Sequence, residues 1–534
     1  MSRPAWLLFI LLPLLPSGCR TPLGELASRS RPVQDCPLLS KECEEGWPQS
    51  AAQPGDQSRN IQSVTWQTTQ PASDPPGPAA NDADSELRLD DVIESVLNTY
   101  PLVQAAALQF AVAQGQVLSA EGAFDTTVKG STENGPLGFY ETYRHGIAAL
   151  QPLAYGGEVF GGYRVGRGVF QPWYEERQTN EGGEFKAGIS VPLSRNVDID
   201  TRRAGVRKAL LAQAAADPQF RSEVIRTVQA GTDAYWQWVA AAAQRRIAER
   251  VLELATTRND GLKEEVEAGA KEPPVLKDNR RAILSREAKL IDTLRKLRQS
   301  AAKLSIFLRT ADGEPLIPAD GQIPSFPVPQ APNDDWSSRL SSLAVQSRPE
   351  LRELQLAIER IDVEISEAGN DLLPNVDAVV VGSQDMGEAT SEKRDKSEFE
   401  LEAALLVDVP LQRRRARGKV ASLEAKRAQL SQKRRLAEDK IRTAVAVALE
   451  SVNAAWQRVE RTVEARDLAD FMAEVEREKF DAGQSDLLAV ALREEQAAES
   501  ASKAIDALLE YQTGLAGLRA AVGVDDGSRI TWSP

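Results

Sequence analysis

Few residues of this chain have the types and spacing that chemistry needs. Its 534 residues hold one histidine, His145, and three cysteines, Cys19, Cys36 and Cys43. His145 falls in a stretch that reads as strand or loop, where a wall position is preferred over a general base. Gly166-Arg167-Gly168 lacks the third glycine and following helix of a nucleotide fingerprint. Glu494-Glu495 lies in a densely charged helical stretch and reads as a solvated face. Cys36 and Cys43 have no histidine beside them for zinc, and in an exported chain their proximity allows a local disulfide. No metal, nucleophile or acid–base constellation emerges, so no enzymatic activity and no cofactor are expected. The one covalent event with a sequence signal is at Cys19. Arg3 and the apolar run Trp6–Leu12 lead to Leu15-Pro16-Ser17-Gly18-Cys19. The run is a secretory signal, too short for a membrane span. Small residues before a cysteine resemble a lipobox, although Pro16 stands where leucine is usual. Cys19 is thus the expected lipidation site, with a stray cysteine after an ordinary signal as the alternative. One lipid chain anchors weakly, so another membrane contact is implied.

The elements that must position everything else form an internal repetition. Tyr100-Pro101-Leu102 and Arg348-Pro349-Glu350-Leu351 open two copies of one order of signals. Pro192-Leu193 and Pro410-Leu411 close two strand regions, and Gly269 and Gly483 end two long helices. The spans from Pro-Leu to glycine differ by 4 residues, while the first strand region is 30 residues longer. A fixed internal order decides the architecture before any local detail. Hydrophobic residues make up 42% and charged residues 27%, but aromatics only 6%, which favours long helices with small-residue seams. The net charge of −14 lacks the basic footprint of a nucleic-acid binder.

Residues 1–19 are therefore read as the signal, and 20–85 as a tether of disordered composition. The first repeat covers 86–309, with strands at about 124–193 and a long helical hairpin at about 199–309. A proline-rich connector spans 310–335. The second repeat covers 336–523, with strands at about 375–409 and a hairpin at about 411–521, and 524–534 form a tail. A bend is expected near Pro218. Val445, Ala448, Val452, Ala455, Val459 and Val463 step close to a coiled-coil seam. Two strands suffice for the second copy, and the extra 30 residues of the first allow one more hairpin. Five of the eight tyrosines fall between 140 and 174, which suits an interfacial girdle, against an ordinary β-rich core. No later segment has the roughly 20 apolar residues of a membrane helix. A crossing would have to be a β-barrel.

At this point the sequence resembles a known family. The signal, the strand pair, Pro-Leu, the long helix, Phe480-Asp481-Ala482-Gly483-Gln484-Ser485-Asp486-Leu487-Leu488 and the closing Leu515–Gly523 are similar to TolC-like outer-membrane efflux proteins, over about 86–523. The resemblance implies a mainly α fold with β. In it a homotrimer forms an outer-membrane β-barrel continued by a long periplasmic α-helical barrel. It also implies a location in the bacterial outer membrane and the periplasm. The implied function is the exit duct of a tripartite efflux or type I export system, with a periplasmic adaptor and an inner-membrane transporter as partners. The competing readings are a periplasmic adaptor lipoprotein and a structural coiled-coil lipoprotein. An adaptor would have one hairpin; this chain has two.

The resemblance maps adaptor docking onto Gly483, Gln484, Ser485, Asp486, Leu487 and Leu488, and onto Gly269, Ala270 and Lys271. The bland alternative is a C-cap glycine followed by an N-cap at Ser485 or Asp486. The first tip departs from the pattern at Glu272-Pro273-Pro274. Where some family members carry an aspartate ring, this chain has Ala489 and Leu492; Asp486 or Glu494 could serve instead, against a solvated helix face, which is the preferred reading for both. Independently of the family, a basic cluster follows each Pro-Leu pair. Arg195, Arg202, Arg203, Arg207 and Lys208 in the first and Arg413, Arg414, Arg415, Arg417 and Lys419 in the second oppose the helix dipole. Outer-membrane lipid headgroups are the expected counter-ions, against neutralisation by nearby acids such as Asp198, Asp200 and Asp408.

Overall fold

The structure is a computed structural model that describes residues 85–332, 336–390 and 396–524. The signal, Cys19, Cys36, Cys43, nearly all of the tether and the tail beyond 524 lie outside the described residues. The described chain is mainly helical with one antiparallel sheet. It begins with α1 (Leu89–Thr99) and α2 (Pro101–Glu121), then β1 (Thr127–Gly135), β2 (Thr142–Pro152), β3 (Glu158–Gly168) and β4 (Glu184–Pro192). Next come α3 (Thr201–Glu267) and α4 (Pro274–Leu304), an extended connector, α5 (Trp336–Ser347) and α6 (Pro349–Asn370). The chain closes with β5 (Asn375–Asp385), β6 (Glu400–Asp408), α7 (Arg414–Asp481) and α8 (Leu487–Val522).

Several boundaries have a local cause. Pro101 and Pro349 sit at the first position of their helices, where the missing N–H is no loss. The side chain of Asp200 accepts from the Arg203 N–H and caps α3. The helix α3 runs 67 residues through Pro218 without a break, and α7 runs 68. At 1.5 Å per residue each spans about 100 Å. Such lengths hold together through seams: Val445, Val452, Ala455 and Val459 of α7 pack on Ala507, Tyr511 and Leu518 of α8. A second cluster packs Tyr235, Trp238, Val239 and Ala242 of α3 on Leu297, Ala301 and Leu304 of α4 and on Val92 of α1. The connector is tied to both repeats: Phe326 stacks on Trp236, and the Tyr511 hydroxyl donates to the Gln330 carbonyl.

The six strands run in the order β1-β2-β3-β4-β5-β6, every neighbour antiparallel. The first strand region thus holds two hairpins and the second one. Beside the sheet the helices lie as a row α2, α3, α6, α7; toward the tips the row is α4, α3, α8, α7. One side of the described chain therefore ends on β1, α2 and α4, and the other on β6 and α7. Among the described residues no single helix is long and apolar enough to cross a membrane; only the bent pair α1–α2 passes on length and composition.

Candidate functional site

Strand register sorts the sheet into two unlike faces, because side chains alternate along each strand. One row joins Val128, Ala149, Gly161, Ala187, Gly382 and Leu401. On that face Tyr143, Ile147, Val159, Phe185, Ile189, Val191, Val380, Leu405 and Val407 are also solvent-exposed. Arg167 is the one charged residue there among the described strands, and its guanidinium donates to the Thr179 and Asn180 carbonyls at 3.0 and 2.9 Å. The opposite face carries Lys129, Glu133, Arg144, Glu158, Arg164, Glu184, Lys186, Asp377, Asp385, Glu400, Glu402 and Asp408. An exposed apolar face this continuous is costly in water and favourable in lipid. His145 lies on β2, on the apolar face, with Nδ1 3.3 Å from the Thr132 hydroxyl. The tyrosines do not make one band. Tyr140 and Tyr174 lie in the loops at one end of the sheet, and Tyr155 lies in the β2–β3 turn at the helix end.

The two tips share a backbone device. Gly269 has φ +76° and Gly483 φ +73°, the left-handed region that favours glycine. The Ala270 N–H returns to Glu265 O at 2.8 Å, and the Gln484 N–H to Lys479 O at 2.7 Å. Both turns thus satisfy the orphan carbonyls of a helix end in the same way. Asp486 caps α8 by accepting from the Ala489 N–H at 2.8 Å, and Ser485 donates to Glu476. Leu488 is 76% exposed and Leu487 is half-buried. At the first tip Lys271 pairs with Glu265 at 2.7 Å and sits 4.1 Å from the Phe480 ring centre, so the two tips touch.

Glu494 corrects the sequence reading. It is 2% exposed rather than solvated. Arg258 of α3 binds it, Arg286 of α4 lies 3.1 Å away and Arg477 of α7 4.0 Å away. One carboxylate on α8 therefore ties all four hairpin helices together. Charge density along the helix hid this, but position could have shown it. Glu494 falls in the seam Val490, Glu494, Ala497, Ala504, Ala507, all buried. A charge at a seam position is a signal that a partner awaits it.

The two basic clusters part company. Arg203 bonds Asp200 at 3.2 Å and donates to the Val197 and Asn196 carbonyls; Arg202 lies 3.8 Å from Glu158. Arg195 pairs with Asp371, and Lys208 with Glu367 at 2.9 Å. Arg195, Arg202, Arg203 and Lys208 thus meet acids of the same chain, whereas Arg207 has no ion pair among the described residues. The reason is proximity: β3 and α6 bring Glu158, Asp371 and Glu367 alongside. Of the second cluster, Arg414, Arg415 and Arg417 stay exposed and Arg413 is half-buried. Arg414, Arg415 and Arg417 have no ion pair among the described residues, and Arg413, at φ +49°, donates to the Pro410 carbonyl. Among the described residues no group of three or more side chains is arranged to hold a metal ion.

No protein-family profile matches the sequence, and no curated protein is detectably similar to it. Solved structures are similar. The outer membrane protein VceC of Vibrio cholerae aligns with a TM-score of 0.58 at 14% identity, over 82% of this chain and 96% of that one. The MtrE outer membrane channel of Neisseria gonorrhoeae, in its open state, gives 0.58 at 16%, over 83% and 90%. The CmeC outer membrane channel of Campylobacter jejuni gives 0.57 at 12%, over 82% and 85%. The fold is that of the TolC-like outer-membrane channels.

Proposed function

We propose that this chain is the exit duct of a tripartite efflux or type I export system, seated in a bacterial outer membrane and reaching into the periplasm. The observation that carries the reading is the six-stranded sheet with one exposed apolar face, one charged face and two unpaired edges, mounted on two long helical hairpins. In lipid, unpaired edge groups must find partners. Closure with further copies of the same chain supplies them, and a homotrimer is the assembly we infer. The apolar face then meets lipid and the charged face lines a water-filled bore. Substrates move passively through it, and the chain performs no catalysis. The tips around Gly269 and Gly483 face away from the sheet and offer the docking surface for a periplasmic adaptor, which connects the duct to an inner-membrane transporter. Lipidation at Cys19 adds an anchor. The test is fractionation of expressing cells followed by electrophoresis with and without boiling. A heat-modifiable trimer in the outer membrane is expected; a soluble periplasmic monomer would overturn the reading.

A further inference from the structure

The strand count of one copy sets the width of the wall. Nearest the sheet, one copy presents four helices side by side, α2, α3, α6 and α7. At 8–10 Å between axes such a row is about 32–40 Å wide. Six strands spaced about 4.8 Å apart and tilted about 40° cover about 38 Å of circumference, whereas four would cover about 25 Å. The sheet therefore spans the whole helix row. Its edges stand over the row's edges, since α2 leads into β1 and β6 leads into α7.

The β2–β3 hairpin belongs to this wall. Its register continues unbroken into β1 on one side and β4 on the other. Its Ile147 and Val159 lie on the exposed apolar face with Val128 and Ile189. A plug folded into a water-filled bore would not share that patterning. On the charged face the small residues Ser131, Gly146, Ala148, Gly162 and Ser190 stand between longer ones such as Arg144, Phe160, Arg164 and Lys186.

We propose that the membrane part is a wide-bore barrel with six strands per copy. It is as broad as the helical duct beneath it and serves cargo as thick as a polypeptide helix or a small folded chain, not only drug-sized molecules. This rests on the three-copy duct inferred above. Three copies give a backbone cylinder about 36 Å across, with about 25 Å free once side chains take about 5 Å on each side. A wall of four strands per copy would leave about 14 Å. An α-helix with its side chains is about 10–12 Å wide, so only the wider bore passes it with its hydration or paired with a second segment.

The test uses the full chain in lipid nanodiscs and planar bilayers. Native mass spectrometry counts copies, and end-on cryo-EM projections count strands whether or not the tips are open. Neutral polymers about 20 Å across, added on the side of the strand loops, probe the bore through the conductance. Three copies, a wall of six strands per copy and polymer entry are expected. Three copies with the β2–β3 hairpin outside the wall, or with polymers of that size excluded, would overturn the wide bore and leave the duct standing. A protein that forms no closed ring would overturn both.

Discussion

At the scale of single residues, backbone shape and burial decide more than charge. Gly483 has nothing within 4 Å of where a Cβ would stand, so a side chain there meets no clash. Its cost is the left-handed φ, about 1–2 kcal/mol for a β-branched residue. That is too little to unfold a chain of this size. Gly483→Val should give an assembled, membrane-inserted protein that no longer supports efflux or crosslinks to its adaptor. Normal transport would refute the tip assignment, and failed assembly would make the glycine structural. Asp233 on α3 makes a pH-dependent prediction. Its Oδ1 is buried without a hydrogen-bond partner, and burial pushes its carboxyl up from 3.8 to about 6. The folded chain then holds a proton that the unfolded chain releases between about pH 4 and 6. Stability must fall as pH rises through that window, by at most about 3 kcal/mol. Asp233→Asn should raise the melting temperature at pH 7.5 and flatten its pH dependence, as followed by circular dichroism. A wild type with no slope between pH 4 and 6 would refute the raised Asp233 carboxyl.

At the scale of elements, the chain's periodicities made most of the fold legible. Pro101, Pro192, Pro349 and Pro410 fixed where elements start or stop, because proline lacks the donor that would continue them. The helix bounds fell close to their punctuation for the same reason. Contacts between distant segments were not legible. Glu158 neutralises Arg202 only because β3 passes beside the start of α3, and no local pattern encodes that meeting. Glu494 was misread likewise, since its arginines come from three other helices. Removing its charge leaves three guanidiniums clustered in a confined space. Breaking such a buried pair costs about 3–5 kcal/mol. Glu494→Gln should therefore loosen α8 from α3 and α4, seen as faster hydrogen exchange around 255–290 and 477–497 with helix content retained. Unchanged exchange would show the cluster to be incidental. For the strand-to-helix junction of the second repeat, the half-buried Arg413 and the exposed Arg414, Arg415 and Arg417 should be needed for seating in anionic lipid. Replacing all four with Gln should weaken vesicle flotation or trimer yield while the isolated helix, relieved of cations at its N-terminus, is no less stable. Equal flotation and equal yield would retire the headgroup role.

At the scale of the whole molecule, the open edges set how copies would meet in the proposed ring. β1 leaves α2 toward the loops and β6 returns from the loops to α7, so β6 of one copy and β1 of the next run antiparallel. The two edges are different surfaces, which makes the contact heterologous, and a heterologous contact closes only as a ring. The helix layer agrees with the sheet. α2 carries Leu102, Leu108, Val112 and Leu118 exposed and no charged residue before Glu121. The facing side is α7, whose first turns expose Gly418, Ala421 and Ala425. Small residues there let an apolar helix approach closely. In the proposed ring one rotation would close both layers. Cysteines placed on the apolar face of the two edges should report the seam: Val128→Cys combined in turn with Leu401→Cys, Ala403→Cys, Leu405→Cys or Val407→Cys. Oxidation in membranes should give a ladder ending at three copies for at least one pairing. Lys129→Cys, on the opposite face, should give none with the same partners. If Leu405→Cys alone crosslinked efficiently to itself, β6 would be meeting β6. The assembly would then be a two-fold dimer with β1 still open, and the ring would be wrong.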